Sequence, residues 1–193
     1  PSPTAVHGNN PIHAREMTLK DIRNLRRWHV DAAKRSRQAG YDIVYVYVGH
    51  DMSVFQHFLK TQHNHRTDEY GGSLENRLRL TREVLTDMRD AIGGDCAIAL
   101  RFAVDELKGE HGLQAECEGR DVIGMLAEIP DLWDVNISDW GNDSATARFE
   151  PLEGYQEPYT AFVKTLTTKP VVGVGRFTSP EAMVSQIKRG VLD

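Results

Sequence analysis

Tyr47 and His50 stand three residues apart where the run YDIVYVYVGHDM (41–52) leaves a β-branched stretch through a glycine. A phenol and an imidazole this close are residue types suited to holding and moving a proton. Three further stretches put chemistry-bearing residues in the same kind of place. Arg101 lies at the end of CAIALRF (96–102), with Asp105 just beyond. LWDVNIS (132–138) runs into SDWGND, which carries Asp139, Trp140 and Asp143. PVVGVG (170–175) supplies Gly173 and Gly175, followed by Arg176. A guanidinium inside an apolar strand needs a partner, and a glycine-rich strand end can offer backbone N–H groups to a phosphate.

Each feature has a plainer reading beside the chemical one. Tyr47 can be a β-forming aromatic with its hydroxyl in water, His50 a turn cap, and Trp140 a core or lid residue. QHNHR holds His63 and His65, with His57 nearby. No cysteine or carboxylate cluster with ligand spacing follows, so a solvated loop is expected there and no metal site. RTDEYGGSLENR (66–77) is polar and turn-rich and ends in a helix start. It reads as a rigid loop held by its own hydrogen bonds.

What must position these residues is an alternation of short and long segments. The strands are expected over 42–48, 96–102, 132–138 and 170–175. Between them, TLKDIRNLRRWHVDAAKRSRQAG places Leu19, Ile22, Leu25, Trp28, Ala32 and Ala33 on one stripe, with Gly40 as a stop. SLENRLRLTREVLTDMRDAIGG does the same with Leu74, Leu78, Leu85, Met88 and Ile92 behind an N-capping Ser73. CEGRDVIGMLAEI, EPYTAFVKTLTT and SPEAMVSQIKRG read as shorter amphipathic helices. Strands alternating with helices imply parallel β–α units, and near-continuously apolar strands imply a sheet covered on both faces.

Two architectures fit, a doubly wound sheet and a piece of a (β/α)8 barrel. A closed barrel needs eight strands and roughly 250 residues; four good strands are expected in these 193 residues. The chain is therefore read as about four β–α units from the interior of a larger TIM barrel, with residues 1–193 forming its central part and the flanking strands absent. Active sites of such barrels lie at the C-terminal strand ends, the places occupied by Tyr47, Arg101, Asp139 and Gly173.

Composition narrows the function. Apolar residues make up 40% and charged residues 26%, and the net charge is −5, which argues against a nucleic-acid surface. No apolar run approaches the roughly 20 residues of a membrane span. Two cysteines, Cys96 and Cys117, make neither a disulfide framework nor an iron–sulfur site. A reducing, cytoplasmic setting is expected.

RTDEYGGSLENR, following a strand of the AGYDIVYVYVGH kind, resembles the Old Yellow Enzyme family of FMN-dependent oxidoreductases, and the resemblance continues through CAIALRF, LWDVNISDWGND and PVVGVGRFTSPEAM. Within that family the sequence is similar to the amine-dehydrogenase branch, the trimethylamine, dimethylamine and histamine dehydrogenases. The resemblance implies a TIM barrel with FMN, and a catalytic set of Tyr47, His50 and Asp143. It implies Arg101 beside the flavin pyrimidine ring, Gly173, Gly175 and Arg176 at the FMN phosphate, and Trp140 as a wall for a substituted ammonium group. An iron–sulfur cluster and nucleotide-binding domains are implied only for a part that would follow Asp193. The expected substrate is a small secondary or tertiary amine, with an electron acceptor serving the full-length enzyme. No nucleic acid or membrane partner is expected, and a homo-oligomer is allowed. An ene reductase of the same family and a barrel fragment without activity stand as the alternatives.

Overall fold

A computed structural model of the chain describes residues 1–7, 13–139, 141–142 and 152–193. Trp140 and Asp143 lie outside the described residues. The chain divides into two compact units, residues 1–46 with 53–98 and residues 47–52 with 99–193.

The first unit opens with a two-stranded antiparallel pair, β1 (Val6–His7) and β2 (His13–Ala14). Helix α1 (Leu19–Gln38) starts at Thr18, whose hydroxyl accepts from the Asp21 N–H at 3.2 Å while the Asp21 carboxylate accepts from the Thr18 N–H at 2.8 Å. This reciprocal capping satisfies two of the donors left over at a helix start. Helix α3 (Leu74–Ile92) starts at Ser73 and ends at Gly93, whose φ of 64° suits a residue without Cβ. Its buried stripe includes Leu78, Val84, Leu85, Met88 and Ile92, as the 3.6-residue period predicts. Arg26 of α1 is held by Glu83 (2.9 Å) and Asp87 (2.6 Å) of α3.

Between them lies α2 (Val54–Leu59), a stretch for which the sequence carried no expectation. Ser53 caps it, and Phe55, Phe58 and Leu59 are buried. Six residues are too few to display a helical period, although Ser53 ahead of an apolar run is a start signal. His57 sits on this helix and faces His63, with ring centroids 4.8 Å apart; QHNHR (62–66) itself lies in neither helix nor strand, the loop expected there.

The longer strands are β3 (Ile43–Val48), β4 (Ala97–Asp105), β5 (Leu132–Ile137) and β6 (Val171–Gly173). They form one sheet in the order β3-β4-β5-β6. β5 is parallel to both β4 and β6. Consecutive strands are neighbours throughout, without the reversal of order that defines a doubly wound sheet. The topology is that of four successive units of a (β/α)8 barrel, as expected.

In the second unit β5 is buried from Trp133 to Ile137, and Trp133 donates its indole N–H to the Ala127 carbonyl at 3.0 Å. Helix α4 (Arg120–Leu126) follows a π-type turn, Ala115–Gly119. Gly119 is required there, because a Cβ would stand 2.2 Å from the Val104 carbonyl oxygen. The expected helix in EPYTAFVKTLTT is cut short: α5 (Glu157–Thr160) passes straight into a 3-10 turn, Ala161–Thr165. The hydroxyls of Thr160 and Thr165 bond back to the carbonyls of Gln156 (3.1 Å) and Phe162 (2.6 Å), the local competition that makes threonine a poor helix interior. Helix α6 (Pro180–Lys188) closes the chain behind its cap, Ser179. No described helix is long and apolar enough to cross a membrane.

Candidate active site at the strand ends

The C-terminal ends of the strands are where the backbone is strained. Among the described residues, the non-glycine positions with left-handed φ are His50 (56°), Asp51 (55°), Leu107 (55°), Ser138 (82°) and Arg176 (56°). Each lies within three residues of the end of β3, β4, β5 or β6. Such conformations cost on the order of 1–3 kcal/mol each and gather where side chains must be aimed. The rim was picked out by residue type; its backbone singles it out independently.

At the end of β3, the Tyr47 hydroxyl and His50 Nδ1 share a hydrogen bond. The spacing comes from the turn at Gly49, where an added Cβ would stand 3.3 Å from Ala103 Cβ and 3.4 Å from the Tyr47 ring. His50 is buried, and its backbone forms a parallel bridge with Asp139 at the end of β5. The pair is thus fixed between two strand ends rather than carried on a loose loop.

Arg101 of β4 faces Asp134 of β5 in register, and its Nη1 donates to Asp134 Oδ2 at 3.2 Å. With the Asn136 amide oxygen turned toward it, Arg101 also donates from Nε at 3.0 Å and Nη2 at 3.2 Å. Asp134 and Asn136 alternate along β5 and so share a face. Burial pushes the Asp134 carboxyl up from the usual range, against the opposing pull of Arg101 and His50.

Beyond β4 the chain turns on its own carboxylates. Asp105 accepts from the N–H groups of Leu107 (2.7 Å) and Ala115 (2.9 Å), where a register shift between Ala103 and Asp105 marks a bulge. Bulges re-aim side chains beside active sites. Lys108 pairs with the Asp139 carboxylate, and that hydrogen bond raises the lysine's pKa. At Asp139 burial acts upward, but Lys108 and the backbone N–H of Asn142 outweigh it and hold the carboxyl below its usual range. Asp139 and Asn142 exchange hydrogen bonds of 2.8 and 2.9 Å, and Asn142 donates to the Glu106 carbonyl at 3.0 Å. These contacts tie Asp139 and Asn142 to each other and to the turn after β4.

At the end of β6 a Cβ on Gly173 would meet Leu192 at 2.8 Å, and one on Gly175 would meet Gly154 Cα at 3.0 Å. Gly154 N–H donates to the Gly175 carbonyl at 2.7 Å. The described candidates Tyr47, His50, Arg101, Gly173, Gly175 and Arg176 all stand at strand ends of the second unit or on β4. The sequence reading missed Asp134, Asn136 and Lys108. Asp134 is a charged residue in an apolar strand, but its partner Arg101 lies 33 residues away on the neighbouring strand.

The residues suit a flavin mononucleotide. Arg101 is 34% exposed at its side chain and gripped on one side, leaving an edge of the cation open to a ligand. The close backbone approach at Gly175 is a cradle that a Cβ would fill.

The Tyr–His pair and the anchored arginine stand at the strand ends of barrel-type β–α units, and sequence comparison identifies the family. The chain belongs to the NADH:flavin oxidoreductase / NADH oxidase family, which it matches over residues 2–193. It is 40% identical to the dimethylamine dehydrogenase of Hyphomicrobium sp. (strain x) over 181 residues, covering 92% of this chain and 24% of that protein. The solved structure of 6-hydroxypseudooxynicotine amine oxidase from Pseudomonas geniculata N1 superposes with a TM-score of 0.93 at 56% identity, over 99% of this chain and 29% of that one. Histamine dehydrogenase from Rhizobium sp. 4-9 gives 0.90 at 47% identity, over 99% of this chain and 28% of the other. The chain therefore spans under a third of the length of these relatives.

Proposed function

We propose that this chain is the central part of the barrel of an FMN-dependent amine dehydrogenase or demethylase acting on a secondary or tertiary amine. The observation that carries the reading is the Tyr47–His50 hydrogen bond at the end of β3, supported by relatives named for amine oxidation. Arg101, Gly173, Gly175 and Arg176 would hold the cofactor, which when bound accepts a hydride equivalent from the carbon next to nitrogen. An amine arrives mostly as its ammonium ion, which has no lone pair to assist that loss. Tyr47, held by His50, receives or relays the nitrogen's proton through its hydroxyl. Asp143 supplies the carboxylate that attracts the cation, and Trp140 an aromatic wall for it. Hydrolysis of the resulting iminium gives an aldehyde and a smaller amine, and an electron acceptor completes the cycle in the full-length protein.

The test is anaerobic stopped-flow reduction of the flavin in the full-length protein by a small methylated amine. Tyr47→Phe should lower the limiting rate on the order of 10-fold or more, the range positioned acid–base groups supply. A wild-type rate in that variant contradicts the assignment. A wild type that ignores amines but reduces cyclohexenone with NADH is an ene reductase instead.

A further inference from the structure

A buried carboxylate with one oxygen committed and one not is the least explained group in the molecule. Asp134 is 8% exposed at its side chain. Its Oδ2 accepts from Arg101 at 3.2 Å, while its Oδ1 is buried and has no hydrogen-bond partner among the described residues. Leaving a buried acceptor unmade is costly, and a valine or isoleucine would suit an apolar strand better. Orientation of Arg101 does not require the charge either, because Asn136 already takes two of its N–H groups.

What Asp134 adds and Asn136 cannot is a negative charge directly behind the guanidinium. We propose that Asp134 is a positioning residue that sets how much of the Arg101 charge is presented to the flavin, with Asn136 fixing the plane in which it is presented. This rests on the reading that Arg101 faces the bound cofactor. A lone arginine there stabilises the reduced, anionic ring by its full charge. An arginine backed by a carboxylate acts as a dipole, and its field falls off faster with distance. The pair holds the flavin at a lower potential than the arginine alone, and the cation stays fixed to the sheet.

The reduction potential is the readout, taken on the full-length holoenzyme by equilibration with a reference dye. Asp134→Asn is nearly isosteric and removes the charge; it should raise the reduced-to-oxidised ratio at a fixed dye potential on the order of 10-fold, the size of one charge at this range in a partly screened interior. Asn136→Asp adds a charge on the same face and should move the ratio the other way. General damage to the site does not produce opposite signs from two such small changes. Arg101→Leu is the control: it should lower the ratio. If Arg101→Leu leaves the potential unmoved, the arginine does not face the flavin and the proposal falls with that reading. If Arg101→Leu lowers it while Asp134→Asn and Asn136→Asp leave it unchanged or shift it in one direction, the proposal alone is overturned. Should Asp134→Asn fail to retain flavin, Asn136→Asp decides: a lowered potential supports the proposal and an unmoved one overturns it.

Discussion

The segment from Asn64 to Arg79 and the strand-end rim of the second unit are built on opposite plans. In the first, Asn64, Arg66, Asn76, Arg77 and Arg79 all donate to backbone carbonyls. Asn64 donates to the carbonyls of Phe58 and Tyr70, both at 2.7 Å. Arg66 grips Asp68 through two N–H groups and reaches the carbonyls of Pro3 (3.0 Å) and Met17 (2.6 Å). Arg77 donates to Gly72 and Leu59, and Arg79 to Glu69. At the rim, side chains are instead aimed by strained backbone and by partners on other strands. The most recognisable motif in the sequence is a clamp, and the residues suited to chemistry are scattered singly through ordinary strands. Recognisability tracks how many obligatory bonds a segment's side chains make to backbone, not whether it touches a substrate.

That contrast has consequences for substitutions, and the largest falls on Gly71. A Cβ there would stand 2.0 Å from the Arg66 carbonyl oxygen, so Gly71→Ala must push the two backbones apart and break the clamp. A loss of about 3 kcal/mol or more is expected, measured by denaturant unfolding. A variant as stable as wild type would mean the loop is not held as described.

Asp68→Asn should cost less, about 1–3 kcal/mol, by leaving the Arg66 cation, 5% exposed, with a weaker partner. The Arg66 hydrogen bonds hold the Asp68 carboxyl below its usual range. A depressed folded-state pKa gives stability that is present above the unfolded value of ~3.9 and lost as pH falls through the folded one. The difference between wild type and Asp68→Asn should therefore be full at neutral pH and shrink below about pH 4. A gap independent of pH would show that the charge is not what matters.

The smallest effect is expected in the second unit at Glu153. Its carboxylate accepts from the Thr178 hydroxyl, and from the Ser179 N–H at 3.1 Å and hydroxyl at 3.0 Å, which lower its pKa to about 2. Glu153→Gln should lower the melting temperature slightly near neutrality and by progressively less as the pH falls from about 4 toward 2. The sign follows the same rule: the benefit exists above the ordinary glutamate range and disappears as pH falls through the folded value. A deficit that grows in acid would contradict it.

How far the sequence foretold this structure follows from the same physics. The strands and long helices were readable because burial imposes a period over many residues, as in the stripe from Leu78 to Ile92. β4 ran further than expected, to Asp105, because the bulge before it carries a polar residue into the ladder. Helix α2 and the broken helix at 157–165 were missed or overdrawn because a few residues cannot show a period, and threonine hydroxyls decide the outcome locally. At the rim, Tyr47, His50 and Arg101 were legible as types out of place in an apolar run. Asp134 and Lys108 were not, because their meaning lies in partners on neighbouring strands, which spacing along one strand does not reveal.

The central claim is that the clamp keeps the fold while the Tyr47–His50 pair performs the chemistry. One measurement separates the two: the limiting rate of anaerobic flavin reduction by a small methylated amine, in full-length wild type, Tyr47→Phe and Asp68→Asn, with each rate referred to the folded, flavin-loaded fraction. The account predicts a loss on the order of 10-fold or more for Tyr47→Phe, with unfolding stability unchanged, and a wild-type rate for Asp68→Asn despite its lower stability. A slowed Asp68→Asn beside an unimpaired Tyr47→Phe would contradict it.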